Sequence, residues 1–277
     1  MSAGIQHPEL NALFGFAERQ LHVVKRYWVW EVVWLFYSLV SVLSIGFLAS
    51  GLGTLAANGS FDLRRAQLYL LVGALLWGYL SLVFMEAAYA ISWERWEGTI
   101  EYTFMAPVRR VTHLMGICLF AIGYGLARTL VVFIVATFMF NLDFSHANFA
   151  GAVAVLAVST VPLIGLSIFT SVLPLLSPQK GEQMSIALQG FLLLVSGVYY
   201  PLTVLPVPMQ VAGAASPLTY ALAGIRNSLL DGAGIRDQLP TIGILLAMGA
   251  AMIPLSVLVF AWAENRAKRL GLLKRSG

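Results

Sequence analysis

The sequence predicts an all-α, polytopic membrane protein, and its composition and its long uncharged runs are the observations that predict it. Hydrophobic residues make up 59% of the 277 residues, whereas Asp, Glu, Lys and Arg together make up only 11%. A soluble protein carries roughly a quarter charged residues, because polar groups must cover its surface. The composition therefore excludes a soluble enzyme, a disordered chain and, with Cys118 as the single cysteine, a disulfide-rich scaffold.

An amphipathic helix is predicted over Glu9–Arg26, directly after Pro8, because proline is favoured at the first turn of a helix. Its apolar positions recur at helical spacing, and they are Leu10, Leu13, Phe14, Ala17, Leu21, Val24 and Trp28. The opposite face carries Glu18, Arg19, His22, Lys25 and Arg26. Such a helix can lie in the headgroup layer of a membrane. We interpret it as an anchor for the first span, with a mechanical role as the alternative.

Six apolar runs predict six transmembrane helices, because lipid offers no hydrogen-bond partners and a helix satisfies its own backbone. Each run is long enough to cross about 30 Å of hydrocarbon at about 1.5 Å per residue. The runs are Tyr27–Ser50, Gln67–Ser92, Leu114–Asn141, Phe149–Leu176, Ser185–Leu205 and Thr241–Ala263.

The distribution of Lys and Arg predicts that both termini are cytoplasmic. With that orientation, twelve of the 17 basic residues lie in inner segments and Arg128 lies within a span. The four outer ones are Arg64, Arg65, Arg226 and Arg236. Because basic residues accumulate in cytoplasmic loops, the bias favours this orientation over its inverse.

The inner connection between spans two and three, Trp93–Arg110, is predicted to form a surface helix that Pro107 ends. Its apolar stripe consists of Trp93, Trp96, Ile100 and Phe104. Its acidic stripe, on an adjoining face, consists of Glu94, Glu97 and Glu101. Because the cytoplasmic membrane surface is itself negative, these carboxylates are expected to face basic residues of another protein. A solvated charged face is the alternative.

The outer connection between spans five and six, Tyr199–Pro240, is half apolar and interrupted by prolines. We predict two short helices that dip into the outer leaflet, one of them over Ser216–Leu230, and such helices must pack against protein or line a cavity. Tyr199 and Tyr200 are expected in the outer aromatic belt, with ligand contact as the alternative.

Three charged residues, Glu31, Glu86 and Arg128, lie inside predicted spans. A charge at the bilayer centre costs about 2.5–3.5 kcal/mol on insertion scales, so each needs a partner, water or access to the interface. Glu31 lies near the inner interface and Arg26, where its side chain can reach water. Arg128 is expected to reach Glu86 or to face a polar cavity at a subunit interface.

Two motifs resemble those of permeases of type-2 ABC exporters, the ABC-2 type transporter family. The segment Arg95-Trp96-Glu97-Gly98-Thr99-Ile100-Glu101, followed by Pro107, resembles that family's Arg-Glu-x-Gly-Thr-Leu-Glu and Ser/Thr-Pro signature, with Trp96 in place of its Glu. The segment Ser216-Pro217-Leu218-Thr219-Tyr220, with Arg226 beyond it, resembles the family's Asn-Pro-Leu-Thr-Tyr…Arg stretch. The order of the predicted elements also matches the family along nearly the whole chain.

The resemblance implies that Trp93–Met105 is a coupling helix that docks on a cytoplasmic ATP-binding subunit. The residues implied in coupling are Trp93, Glu94, Arg95, Trp96, Glu97, Gly98, Thr99, Glu101 and Pro107. The sequence has no phosphate-binding Gly-x-x-x-x-Gly-Lys-Ser/Thr loop, so ATP and Mg²⁺ are expected in two copies of that partner and no cofactor in this chain. The chain itself is expected to be a single permease domain in a bacterial plasma membrane, pairing with a second copy. A heterodimer is the alternative.

The expected substrate is amphipathic, such as a drug, a lipid-linked glycan or a glycolipid. An ATP-independent transporter or scaffold and an intramembrane lipid-modifying enzyme are the alternatives. The enzyme would need polar groups that converge at one depth, and only Glu86 and Arg128 lie deep in the predicted spans. Neither a metal site nor a nucleic-acid partner is expected.

Overall fold

The structure is a computed structural model that describes residues 8–55 and 63–273, and within these ranges the chain is helical without a strand. The prediction of an all-α fold is therefore confirmed for the described residues. The helices are α1 Pro8–Arg26, α2 Trp28–Leu55, α3 Leu63–Glu97, α4 Ile100–Met105, α5 Arg110–Phe140, α6 Phe149–Leu176, α7 Gly181–Val195, α8 Val207–Ala214, α9 Pro217–Leu230 and α10 Leu239–Arg269. The chain ends, predicted to be cytoplasmic, include residues 1–7 and 274–277, which lie outside the described ranges.

Five described helices are long and apolar enough to cross a membrane, and they correspond to predicted spans one to four and six. Their spanning segments are Trp28–Gly51, Arg64–Glu97, Arg110–Phe140, Phe149–Leu176 and Leu239–Arg269. These long apolar helices make the chain a multi-pass membrane protein, because a soluble fold could not cover so much apolar helix surface.

The fifth predicted span differs from the structure in its C-terminal half. A continuous helix over Ser185–Leu205 was predicted, but α7 ends at Val195 and the chain then turns at Gly197, whose φ is +70°. A 3₁₀ turn at Leu202–Val204 follows Pro201. Glycine adopts this left-handed conformation without strain, and proline lacks the N–H that a continuing helix would need.

The segment predicted to be an amphipathic helix lies within α1, which packs along α5. The two helices approach closely at Gly116, where a Cβ atom would lie 2.6 Å from the Leu13 carbonyl oxygen. On the other side of α1, Leu10, Phe14 and Leu21 are exposed. Because these apolar side chains have no protein neighbour to cover them, this face suits contact with lipid.

The interior is built around α3, which packs against α2, α5 and α6, while α6 also packs along α10. Two-thirds of the most apolar stretch of α3 is buried, compared with 17% of that of α2. The largely exposed surface of α2 carries large apolar side chains, among them Trp30, Trp34 and Phe36. Helix α3 is thus the central helix of the protein, and most of the apolar surface of α2 is not covered by other helices.

Polar contacts between α2 and α5 contradict one of the two alternatives predicted for Arg128, its pairing with Glu86. Its guanidinium donates to the backbone oxygen of Trp34 and, at 3.0 Å, to the Ser38 hydroxyl, so it reaches α2 and not Glu86 on α3. Glu31, expected to reach the interface alone, accepts a hydrogen bond from the Tyr124 hydroxyl. Backbone and hydroxyl oxygens therefore accept from the Arg128 guanidinium in place of the Glu86 carboxylate. The alternative, a polar cavity at a subunit interface, stays a prediction.

Candidate functional site

The junction between α3 and α4 is a break in the predicted coupling helix. A continuous helix over Trp93–Met105 was expected, but α3 ends at Glu97 and Gly98 adopts a φ of +77°. The Thr99 N–H then donates to the Glu94 carbonyl at 2.8 Å, as in a glycine-terminated helix. The chain thereby turns out of α3, so Trp93–Glu97 form the last turns of a long helix and only α4 is a separate short element.

Arg95 anchors this junction from inside the protein. Its side chain is only 2% exposed and donates to the backbone oxygens of Pro174 at 3.2 Å and Leu175 at 3.3 Å. These carbonyls belong to the last turn of α6, where helix geometry leaves them without intrahelical partners and favours a cation. Arg95 also donates to the Leu272 oxygen beyond α10. One side chain therefore ties the ends of three helices together.

Glu94 is also buried, which corrects the predicted row of three surface carboxylates. It is 2% exposed and forms an ion pair with Arg19 of α1 at 2.5 Å. Its carboxylate also lies 3.1 Å from Nε2 of His113, a buried residue of α5 whose ring packs on Phe16. Glu94 therefore joins α1, α3 and α5 within this chain, and it is not on a surface that a partner could touch.

Helix α4 is held inward by its apolar side and leaves the other side exposed. Ile100 and Phe104 are buried in a core cluster with residues of α5, α6 and α10. The predicted apolar stripe is split, because Trp96 is 63% exposed and does not join them. Tyr102 and Met105 are 78% and 80% exposed. We define the junction surface by its residues, which are Trp96, Glu97, Glu101, Tyr102 and Met105.

Arg110 fixes the far end of α4. Its guanidinium donates to the backbone oxygens of Thr103, Phe104 and Ala106, and it lies 4.9 Å from the centre of the Phe104 ring. It also approaches the carboxylate of Glu264 on α10 at 3.5 Å. Beyond α4, Pro107 is exposed, as expected for a residue in a surface turn.

Four residues of this network, Arg19, Arg110, His113 and Glu264, were not predicted as site residues. Each lies near the end of a predicted span or in the amphipathic helix, where a charged or polar residue is unremarkable. The chain has few charged residues, so the occurrence of several near the predicted span ends was the available sign of a polar network. Their partners depend on how distant helices pack, and no local pattern encodes that.

The second predicted motif lies at the other end of α3, around Arg226 of α9. Arg226 is buried and donates to the backbone oxygens of Gly197 at 2.8 Å, Tyr69 at 3.1 Å and Val198. Its guanidinium also lies 3.6 Å from the centre of the Tyr69 ring. Gly197 and Val198 form the turn in which α7 ends, so Arg226 satisfies carbonyls that the broken helix leaves open.

The other residues of the outer motif hold the short helices together. Pro217 is the first residue of α9, and the Ser216 hydroxyl lies 3.0 Å from that of Ser196. Tyr220 donates to the Ala214 oxygen at 3.0 Å, and Tyr200 donates to the Leu194 oxygen at 2.7 Å. Tyr199 is half buried against the core. These contacts give the predicted residues structural partners in the segment that follows α7.

The structure thus separates the predicted site residues into two regions. One region lies at Tyr69 of α3 and the other at Arg95, and this separation of 26 positions corresponds to about 40 Å of helix. Glu31, Glu86 and Arg128 belong to neither region. Among the described residues, no group of His, Cys, Asp and Glu side chains could hold a metal ion, and Cys118 is a buried free thiol.

Comparison with known proteins identifies one family. The sequence model of the family described as ABC-2 type transporter matches residues 12–230, which is more than half of the chain. The match begins within α1 and ends with α9, so it includes both the junction surface and the region around Arg226. A search of curated proteins found no match.

Proposed function

The chain belongs to the ABC-2 type transporter family, and from this premise we propose that it is the permease subunit of an ATP-driven exporter. Members of the family are membrane transport components that generally work with an ATP-binding subunit. In this proposal that subunit is a separate cytoplasmic polypeptide in two copies, and it supplies the phosphate-binding loop that a bound ATP requires. The junction surface is where it docks.

The observation that carries the proposal is the combination of exposure and rigid support at the junction surface. Tyr102 and Met105 expose large apolar side chains on α4, which lies outside the spanning segments, and Trp96 does so at the very end of α3. Tyr, Trp and Met are enriched at protein interfaces, where they act as anchors. Glu97 and Glu101 add negative charge, which favours a partner whose docking cleft carries Arg or Lys.

The support beneath the surface explains how docking would move the transmembrane helices. Glu94 joins α3 to α1 and α5, Arg95 joins it to α6, and Arg110 joins α4 to α10. A displacement of α4 therefore acts on five long elements at once, because their buried polar contacts cannot slip independently. Closure of the ATPase dimer would in this way move the helices that line the translocation path.

The fifth predicted crossing is completed, in our proposal, by a broken helix. Helix α7 has 15 residues and spans about 22 Å, which is less than the hydrocarbon thickness. The turn after it is buried in protein, and Arg226 bonds to two of its carbonyls. Irregular backbone is tolerated at membrane depth under these conditions. The chain then crosses six times, with both termini in the cytoplasm of a bacterium.

The translocation path forms between two copies of the chain in this proposal. Helices α2 and α5 expose apolar side chains that lipid or a second copy could cover, among them Trp34, Phe36, Leu130 and Phe138. A path lined by such helices suits an amphipathic substrate such as a drug, a lipid-linked glycan or a glycolipid.

We expect the double variant Glu101→Lys with Tyr102→Ala to lose the ATP-binding subunit. The reversal places positive charge against a basic cleft, and the truncation removes an anchor, so the subunit retained on affinity-purified permease should fall about tenfold or more. The partner to co-express is a short ATPase with a phosphate-binding loop, which we expect a neighbouring gene to encode.

The matched control is Asp143→Lys with Val211→Ala, which changes an exposed acid and an exposed apolar residue away from the junction surface. It should retain the ATP-binding subunit in parental amounts. If the two double variants retain equal amounts while both elute as folded protein, the assignment of the junction surface is wrong.

A further inference from the structure

A cavity of about 390 Å³ opens beside Arg226 and has no role in the proposed docking of an ATPase. It lies between the first turns of α3, the turn after α7 and one face of α9. Its lining includes Arg65, Tyr69, Tyr200, Leu222, Asn227 and Asp231. The volume is within the range of about 300–1,000 Å³ that small-molecule sites occupy.

The rim of this cavity carries an ion pair that a ligand can open. Arg65 and Asp231 lie 2.5 Å apart, and their side chains are 65% and 46% exposed. An exposed ion pair contributes little net free energy, because both groups are well solvated when they are apart. A ligand with both a negative and a positive group can therefore separate the pair. Its negative group then binds Arg65, and its positive group binds Asp231.

The third charged residue of the lining that the structure describes, Arg226, is committed to the fold. It is buried, and it donates from Nη1 and Nη2 to backbone oxygens. The charges that a ligand meets at the rim are therefore those of Arg65 and Asp231. A guanidinium is well suited to phosphate, and a carboxylate to a cation.

The depth of the cavity in the membrane limits the source of such a ligand. Arg65 is the second residue of the spanning segment Arg64–Glu97, so the rim lies where the apolar part of α3 begins. That level is the headgroup layer, whichever side of the membrane it faces. Leu222 and Leu230 offer apolar lining beside the charged rim. Phospholipids present phosphate, and often an ammonium group, at this depth.

We propose that this cavity binds the headgroup of a zwitterionic phospholipid, with its phosphate on Arg65 and its ammonium group on Asp231. Each of the two headgroup charges thereby faces one rim residue of the opposite charge. The apolar lining receives the glycerol end of the acyl chains. The site requires neither ATP nor a second subunit, so it can exist whether or not the chain is an exporter.

The test measures lipid binding to the purified full-length chain in detergent, by calorimetric titration with short-chain lipids. Dihexanoyl phosphatidylethanolamine should bind saturably and about three- to fivefold more tightly than dihexanoyl phosphatidylglycerol, which lacks the ammonium group and so the partly exposed ion pair with Asp231. Arg65→Gln should weaken binding of the ethanolamine lipid about tenfold or more, because a charge-assisted bond to phosphate is lost. Asp231→Asn should remove the preference for ethanolamine over glycerol.

Arg64→Gln is the matched control, because Arg64 is an exposed neighbour that does not line the cavity. It should leave both affinities unchanged, and thermal unfolding without lipid should show that all three variants are folded. Equal affinity for the two lipids in the parent chain would overturn the proposal, as would equal effects of Arg64→Gln and Arg65→Gln. Soluble phosphoethanolamine that binds as tightly as the lipid would also overturn it, in favour of a free small molecule.

Discussion

Replacement of Arg95 by methionine should lower the thermal stability of the protein sharply, although it changes none of the residues that define the junction surface. Methionine fills a similar volume but donates no hydrogen bond, so the oxygens of Pro174, Leu175 and Leu272 lose their donor. A buried acceptor left without a partner costs about 1–3 kcal/mol, so the variant should lose about 3 kcal/mol or more. Tryptophan fluorescence during heating in detergent measures the loss.

Two further variants make this result specific to the buried bonds of Arg95. Arg95→Lys keeps the charge but not the planar fork, so its midpoint should fall between those of the parent and Arg95→Met. Arg236→Met removes an exposed arginine and should leave the midpoint unchanged, since surface substitutions rarely matter. A parental midpoint for Arg95→Met would contradict the role of Arg95 as the anchor of the junction.

Substitution of Gly73 by alanine should destabilise the region around Arg226 to a similar extent. A Cβ atom at Gly73 would overlap both Nη2 of Arg226 and the backbone oxygen of Val198. Moving the guanidinium away would leave the Gly197 and Val198 oxygens without their donor at the end of α7. Strain from overpacking typically costs about 1–3 kcal/mol, and the lost bonds add to it.

Gly78 provides the control for this prediction on the same helix. A Cβ atom there would meet nothing within 4 Å, so Gly78→Ala should leave stability unchanged or raise it by up to about 1 kcal/mol. Thermal unfolding of the two variants side by side measures the difference. Equal midpoints would mean that the close approach of α3 to the turn after α7 does not support the fold.

The long elements of the fold could be predicted because their signals are local. The uncharged runs of α2, α3, α5, α6 and α10 and the amphipathic spacing of α1 follow from residue types at fixed intervals. The break at Gly98 was missed because helical spacing was counted through the glycine as if the helix were continuous. Glycine followed by threonine, a weak helix former, was the available signal for a left-handed turn.

The partners of the buried charges could not be predicted from residue types. Arg128 was expected to meet a carboxylate or a cavity, and Arg95 another subunit. Most bonds of these two residues and of Arg226 instead end on backbone oxygens. Every residue carries a backbone oxygen, so the sequence does not show which oxygens are open, that is, without a hydrogen-bond donor from their own helix. Open carbonyls occur where helices end or break, and those ends meet only after the helices have packed.

The burial of Glu94 changes the expected docking contact. Three carboxylates were predicted to face a basic partner, but Glu94 is neutralised within the chain by Arg19. Of the three, Glu101 is exposed and Glu97 is half buried, beside the exposed Trp96, Tyr102 and Met105. The surface is therefore more apolar and less acidic than the sequence suggested, and aromatic anchors should contribute more to docking than charge does.

Site-specific crosslinking from Tyr102 tests the docking claim most directly. Cys118 is the only cysteine and is buried, so Tyr102→Cys introduces a single accessible thiol for a photoactivatable crosslinker, and Val211→Cys places one at an exposed position far along the chain. We expect light to join the Tyr102→Cys permease to the co-expressed ATP-binding subunit, in an adduct of their combined mass, and Val211→Cys to give none. A Tyr102→Cys yield no greater than that of Val211→Cys would contradict docking at the junction surface.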